Sequence, residues 1–68
     1  MITDYHGQPL AIGDHVQGQY RDEQYTGTVT QIEPYDPGCG NHRHITVTRD
    51  DTRAGHQTTS DAVVVLPG

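Results

Sequence analysis

Apolar residues along this chain recur at every second position in short runs, and never at the spacing of a helix. Val16, Gly18 and Tyr20 alternate with His15, Gln17 and Gln19, the period of a half-buried strand. Thr26 to Tyr35 is the longest strand candidate and is rich in threonine and β-branched residues. Val29 and Ile32 differ in parity, so a flat strand cannot bury both on one face. A bend or bulge near Thr30-Gln31 resolves the conflict. His44 to Thr48 alternates again with Ile45 and Val47 inward, His56 to Thr59 is a weaker strand, and Val63 to Leu66 is a short buried one.

Turn formers fall between these runs. Gly13-Asp14 precedes the first strand, Arg21-Asp22-Glu23-Gln24 makes a charged hairpin tip, and Asp36-Pro37-Gly38-Cys39-Gly40-Asn41 is a loop by composition. Arg49 to Gly55 is a polar turn. Ser60-Asp61-Ala62 suits one helical turn, capped by Ser60 or Asp61. Pro9, which has no N–H to give a ladder, keeps residues 1–11 as an arm or short hairpin ahead of the barrel strands of 12–66. The expected core is Ile12, Val16, Val29, Ile32, Ile45, Val47, Val63 and Val65.

The carrying residues Leu10-x-Ile12-Gly13-Asp14-x-Val16, Gly27-x-Val29-x-x-Ile32, Ile45-x-Val47 and Ser60-Asp61-Ala62-Val63 resemble the SH3-like small barrel superfamily, with its KOW and Tudor modules. The resemblance spans about residues 10–66. It implies an all-β, five-stranded SH3-like barrel with a single helical turn before the last strand. The layout is also similar to type II plasmid-encoded dihydrofolate reductases. Their Val-Gln-Ile-Tyr motif would fall at His56-Gln57-Thr58-Thr59, where only Gln57 matches, so the similarity implies fold and not activity.

Composition narrows the picture. With 68 residues there is room for one domain, which at this size buries only about 60% of its unfolded surface. There is no Phe or Trp, and hydrophobic residues are 31% of the chain, so Val, Ile, Leu and Tyr must supply the packing. A core this thin leaves a homo-oligomer open. The formal net charge is −5, and a chain that grips phosphate backbones is usually basic. Cys39 is the only cysteine, which excludes an internal disulfide. With no secretory signal pattern and no apolar run long enough to span a bilayer, the expected location is cytoplasmic, away from membranes.

Four constellations bear on function. Tyr20 and Tyr25 flank the first hairpin tip and Tyr35 ends the bent strand. With Asp36 and Arg43 they form the expected binding surface for a protein or peptide partner. In Tudor-like modules, the resemblance implies, the corresponding loops cage methylated Lys or Arg through cation–π attraction. Arg43, Arg49 and Arg53 could cluster at one end, as basic loops of KOW-like modules do on RNA, which makes a nucleic-acid accessory role the alternative. Cys39-x-x-His42-x-His44, with His56 as a fourth ligand, has the right donor types for zinc but no second cysteine. No metal or cofactor is therefore expected. No nucleophile, base and acid spacing stands out either, and the expectation is a non-enzymatic binding module.

Overall fold

The computed structural model describes residues 2–34 and 43–67. Five strands form: β1 His15–Tyr20, β2 Glu23–Ile32, β3 His44–Arg49, β4 Gly55–Thr59 and β5 Val63–Val65. The second begins three residues before the expected Thr26 and ends at Ile32. Glu23 and Gln24, expected in the hairpin tip, continue the ladder opposite Tyr20 and Gln19, and the turn shrinks to Arg21-Asp22. A 3₁₀ turn, Ser60–Ala62, links the last two. All pairings are antiparallel, and the order across the sheet is β4-β3-β2-β1-β5.

That order forces curvature. β4 and β5 lie at opposite edges, and a flat sheet would separate them by about 19 Å, four strand spacings. Only Ser60–Ala62 joins them, and four steps of chain reach about 14 Å at most. The sheet must therefore roll over on itself. The rings agree: His56 on β4 and Tyr20 on β1, three strands apart in the ladder, meet at 5.1 Å between centroids.

The parity conflict in β2 is resolved as expected. Val29 pairs with Val47 but Gln31 pairs with Thr46, so Thr30 is an extra residue, and Ile32 regains the inner face opposite Ile45. The Thr30 hydroxyl donates to the Thr46 carbonyl at 3.3 Å across the bulge. One residue of slip would otherwise turn Ile32 to solvent.

The buried core is Leu10, Val16, Tyr25, Val29, Ile45, Val47 and Val63, with Ile2, Ile32 and Val65 partly buried against it. Two expectations need correction. Ile12 lies in the turn before β1 and is 64% exposed, whereas Leu10 takes the core position. The N-terminal hairpin explains the exchange: Thr3 bridges Pro9, and the Leu10 N–H donates to the Ile2 carbonyl at 3.0 Å, which aims Leu10 inward. Tyr25 is the other correction, being 4% exposed. Because Ile12 touches so little, Ile12→Ser should shift stability by less than about 0.5 kcal/mol in urea denaturation. A loss of about 2 kcal/mol would mean that Ile12 is packed after all.

Gly13 and Asp14 extend the β1–β2 ladder as well as turning the chain. Gly13, at φ +97°, donates to the Val29 carbonyl at 2.8 Å, and the Val29 N–H donates back to the Asp14 carbonyl at 3.0 Å. The Asp14 carboxylate accepts from the Ala11 N–H at 2.8 Å, the local bond that favours Asp in turns.

Ser60 caps nothing. No side-chain bond caps the 3₁₀ turn at its N-cap, Thr59. Ser60 is instead fully buried and ties down the entry to β3: its hydroxyl accepts from the Arg43 N–H at 3.1 Å while its own N–H donates to the Arg43 carbonyl at 2.9 Å. Asp61 accepts from the Thr59 hydroxyl at 2.5 Å.

Candidate functional site

Gly18 and Tyr25 face each other across the β1–β2 hairpin. A Cβ on Gly18 would meet the tip of the Tyr25 ring at 2.5 Å, so the absence of a side chain there makes the space that the ring fills. Burial raises the Tyr25 hydroxyl above its ordinary value, and a hydrogen bond with Thr58 and the charge of Arg49 pull back only part of that rise. Tyr25 is thus a neutral anchor at physiological pH.

His56 stands edge-on to two rings, 4.9 Å from Tyr25 and 5.1 Å from Tyr20. Arg21, at φ +57° in the hairpin turn, places its guanidinium 5.3 Å from the Tyr20 centroid. Arg49 lies 5.2 Å from the Tyr25 ring and is held there by two bonds to Asp51, at 3.1 and 2.8 Å. The hydrogen bond from Arg49 lowers the Asp51 carboxyl below its ordinary value. This stack rises from a buried Tyr25 through half-buried His56 to Tyr20, which is 42% exposed. Its outer end is a fixed aromatic ring beside a cation.

A second polar cluster ties β1 to the β3–β4 turn. The Asp50 carboxylate contacts His15 Nε2 at 2.7 Å and accepts from the Thr26 hydroxyl at 2.9 Å. These bonds, His15 first and Thr26 second, lower the Asp50 carboxyl. The order is unsuited to nucleophilic catalysis, in which the histidine stands between hydroxyl and carboxylate. Here the hydroxyl donates to the carboxylate directly, so the cluster fastens the turn.

Three sequence-level candidates separate on the fold. Arg49 and Arg53 belong to the β3–β4 turn end, but Arg43 precedes β3, about 20 Å away along the strand. The three arginines do not form one patch, and Arg49 is already engaged by Asp51. His44 pairs with Thr59 and His56 with Val47, which separates the two histidines by about 10 Å along the ladder. His56 is therefore a ring-packing residue rather than a fourth ligand, and among the described residues no three His, Cys, Asp or Glu side chains group for a metal. Tyr35, Asp36, Cys39 and His42 lie outside the described residues.

Sequence reasoning missed the roles of two residues. His56 lies in a polar run with no aromatic neighbour in sequence, so its ring contacts carried no local signal. Asp4 is the other. It is 1% exposed, and its carboxylate accepts from the His6 and Gln8 N–H groups at 2.9 and 2.8 Å and from the Val65 N–H at 2.8 Å. Gly7, three residues on at φ +80°, was the available hint of a tight Asp-led turn. Comparison of the chain with protein-family models, curated protein sequences and solved structures gives no match.

Proposed function

We propose that the chain is an SH3-like small barrel acting as a non-enzymatic binding module, and that its partner is an extended peptide segment of another protein. The observation that carries this reading is the Tyr20 ring. It is exposed at the hairpin tip, yet braced by His56 at 5.1 Å and flanked by the Arg21 guanidinium at 5.3 Å. A rigid aromatic ring offers contact area with little entropy left to lose, which is why such rings dominate protein interfaces. Tyr25 packs against the same His56 ring at 4.9 Å and, being buried, does not touch the peptide. The spread of Arg43 away from Arg49 and Arg53 favours a peptide over the nucleic-acid alternative.

Selection from a random peptide library on immobilised protein tests the proposal. Binders are expected whose amide chemical-shift changes centre on Tyr20, Arg21 and His56, and Tyr20→Ala should weaken them at least about tenfold with the melting temperature held. Binders that map elsewhere, or none at all, would overturn it. Retention on single-stranded nucleic acid that falls steeply with salt would support the accessory role instead.

A further inference from the structure

The two edges of the sheet are treated differently. At β5, the Tyr5 N–H donates to the Val63 carbonyl at 2.9 Å, and the Val65 N–H is taken by the Asp4 carboxylate at 2.8 Å. The N-terminal hairpin thus stands in for a further strand and closes that edge. No such cover lies on β4 among the described residues. The Ser60 N–H bonds to the Arg43 carbonyl and the Arg49 N–H to the Ala54 carbonyl. Antiparallel alternation then turns the backbone of His56 and Thr58 toward β3, and that of Gly55, Gln57 and Thr59 outward.

Open edges are normally blunted by lysine, proline, inward charge or a bulge. Gly55-His56-Gln57-Thr58-Thr59 contains no lysine, carboxylate or proline, and its ladder with β3 is regular. We propose that β4 is an interface for a second copy of this chain, pairing antiparallel with the β4 of that copy about a two-fold axis through Gln57. This inference does not rest on the peptide reading.

The register follows from the residues. With Gln57 on the axis, Gly55 faces Thr59 of the second copy, and every outward N–H of Gly55, Gln57 and Thr59 meets an outward carbonyl. Axes through His56 or Thr58 leave some of these groups unmatched. The Gln57 axis also brings Arg53, two residues before β4, and Asp61 of the second copy, two residues after it, to the same end of the new ladder, and the two-fold repeats this at the other end. Arg53 has no carboxylate partner among the described residues, and Asp61 holds only the Thr59 hydroxyl. Two chains of net charge −5 repel, yet this register brings opposite charges near each other at each end of the ladder and sets no like charges within it. Because the β5 edge is already occupied, the pairing closes after two copies and does not propagate into a fibre. A five-residue edge buries little area, so the association belongs to the weak, micromolar class.

Sedimentation equilibrium across micromolar to millimolar protein tests this directly. The expected result is a reversible rise from the 7.5 kDa protomer to twice that mass. Gln57→Pro removes an N–H that bonds nothing among the described residues, so the fold should persist by circular dichroism while self-association weakens at least about 100-fold. If Gln57→Pro does not fold, the charge variants decide. Arg53→Asp should weaken pairing about tenfold by setting it against Asp61, and adding Asp61→Arg should restore it. A chain that stays monomeric at millimolar concentration overturns the proposal. So does a dimer indifferent to both sets of variants, since it would use another surface.

Discussion

Gly27→Ala is expected to unfold most of the protein at room temperature. Gly27 is buried in β2 and faces Arg49 of β3. A Cβ there would collide with the backbone carbonyl oxygen of Thr48 and lie 2.6 Å from Cγ1 of Val47. The φ at this position is not positive, so the need for glycine is one of space and not of backbone conformation. β3 cannot retreat cheaply, because it is hydrogen-bonded to β2 on one side and β4 on the other. Overpacking a core typically costs about 1–3 kcal/mol when side chains can adjust, and here the obstruction is mainly backbone. A domain of this size holds only about 3–5 kcal/mol in reserve.

Urea denaturation followed by circular dichroism reads the effect. Gly55→Ala is the control: its nearest neighbour would be Thr46 Cγ2 at 3.5 Å, an ordinary contact, so it should change stability by less than about 0.5 kcal/mol. Equal midpoints for the two variants would show that β2 and β3 are not so close at Gly27.

The second large effect is expected at Asp4. Burial by itself raises its carboxyl, but the N–H bonds from Val65, Gln8 and His6, aided by the nearby His6 ring, lower it further than burial raises it. Asp4→Ala would leave three backbone donors unpaired, release the arm from β5 and uncover Leu10. At about 1 kcal/mol or more for each stranded donor, the loss is about 3 kcal/mol. Asp4→Asn is the sharper variant. Its amide oxygen can still serve His6 and Gln8, but its NH₂ then faces the Val65 N–H, donor against donor. An intermediate loss is expected, with faster hydrogen exchange at Val65.

The same carboxyl sets the acid limit of the fold. Its pKa is lower folded than unfolded, so its contribution is complete above the unfolded value, near pH 4, and drains away as pH falls toward the folded one. Asp50 and Asp51 are lowered too and act in the same direction, though exposed. Stability should be level between about pH 5 and 7 and drop below about pH 4. In Asp4→Ala that drop should be visibly shallower. An unchanged acid transition would mean that Asp4 is not the group responsible.

Much of this architecture is legible in the chain because strands announce themselves locally. Period-two alternation depends only on neighbouring residues, so His15–Tyr20 and His44–Arg49 can be found without knowing their partners, and Val63–Val65 shows as a short apolar run stopped by Pro67. The bulge at Thr30 is legible for the same reason, since Val29 and Ile32 cannot both face inward without it. Ile12 and Leu10 exchange roles because their fates depend on the Thr3–Pro9 bridge, a pairing that period-two reading does not reach. Composition indicated that tyrosine must substitute for the missing Phe and Trp, but not which tyrosine. That depended on Gly18 facing Tyr25 across the hairpin, while Tyr20 extends to solvent two positions on.

By itself, then, the sequence determined the number of strands, their order along the chain and the bulge, because each is a property of a few consecutive residues. The first hairpin's tip is tighter than its charged run suggested, because Glu23 and Gln24 gain ladder partners in β1. Only the tertiary structure decided what became of the polar residues: Asp4 as the seal on β5, Ser60 as the clasp on Arg43, His56 as a packed ring between two tyrosines. A polar side chain gains its role from whichever donor or ring the rolled sheet brings to it, and those partners lie up to 61 residues away in sequence. The open β4 edge belongs to the same class, since an edge exists only once the order of the strands is known.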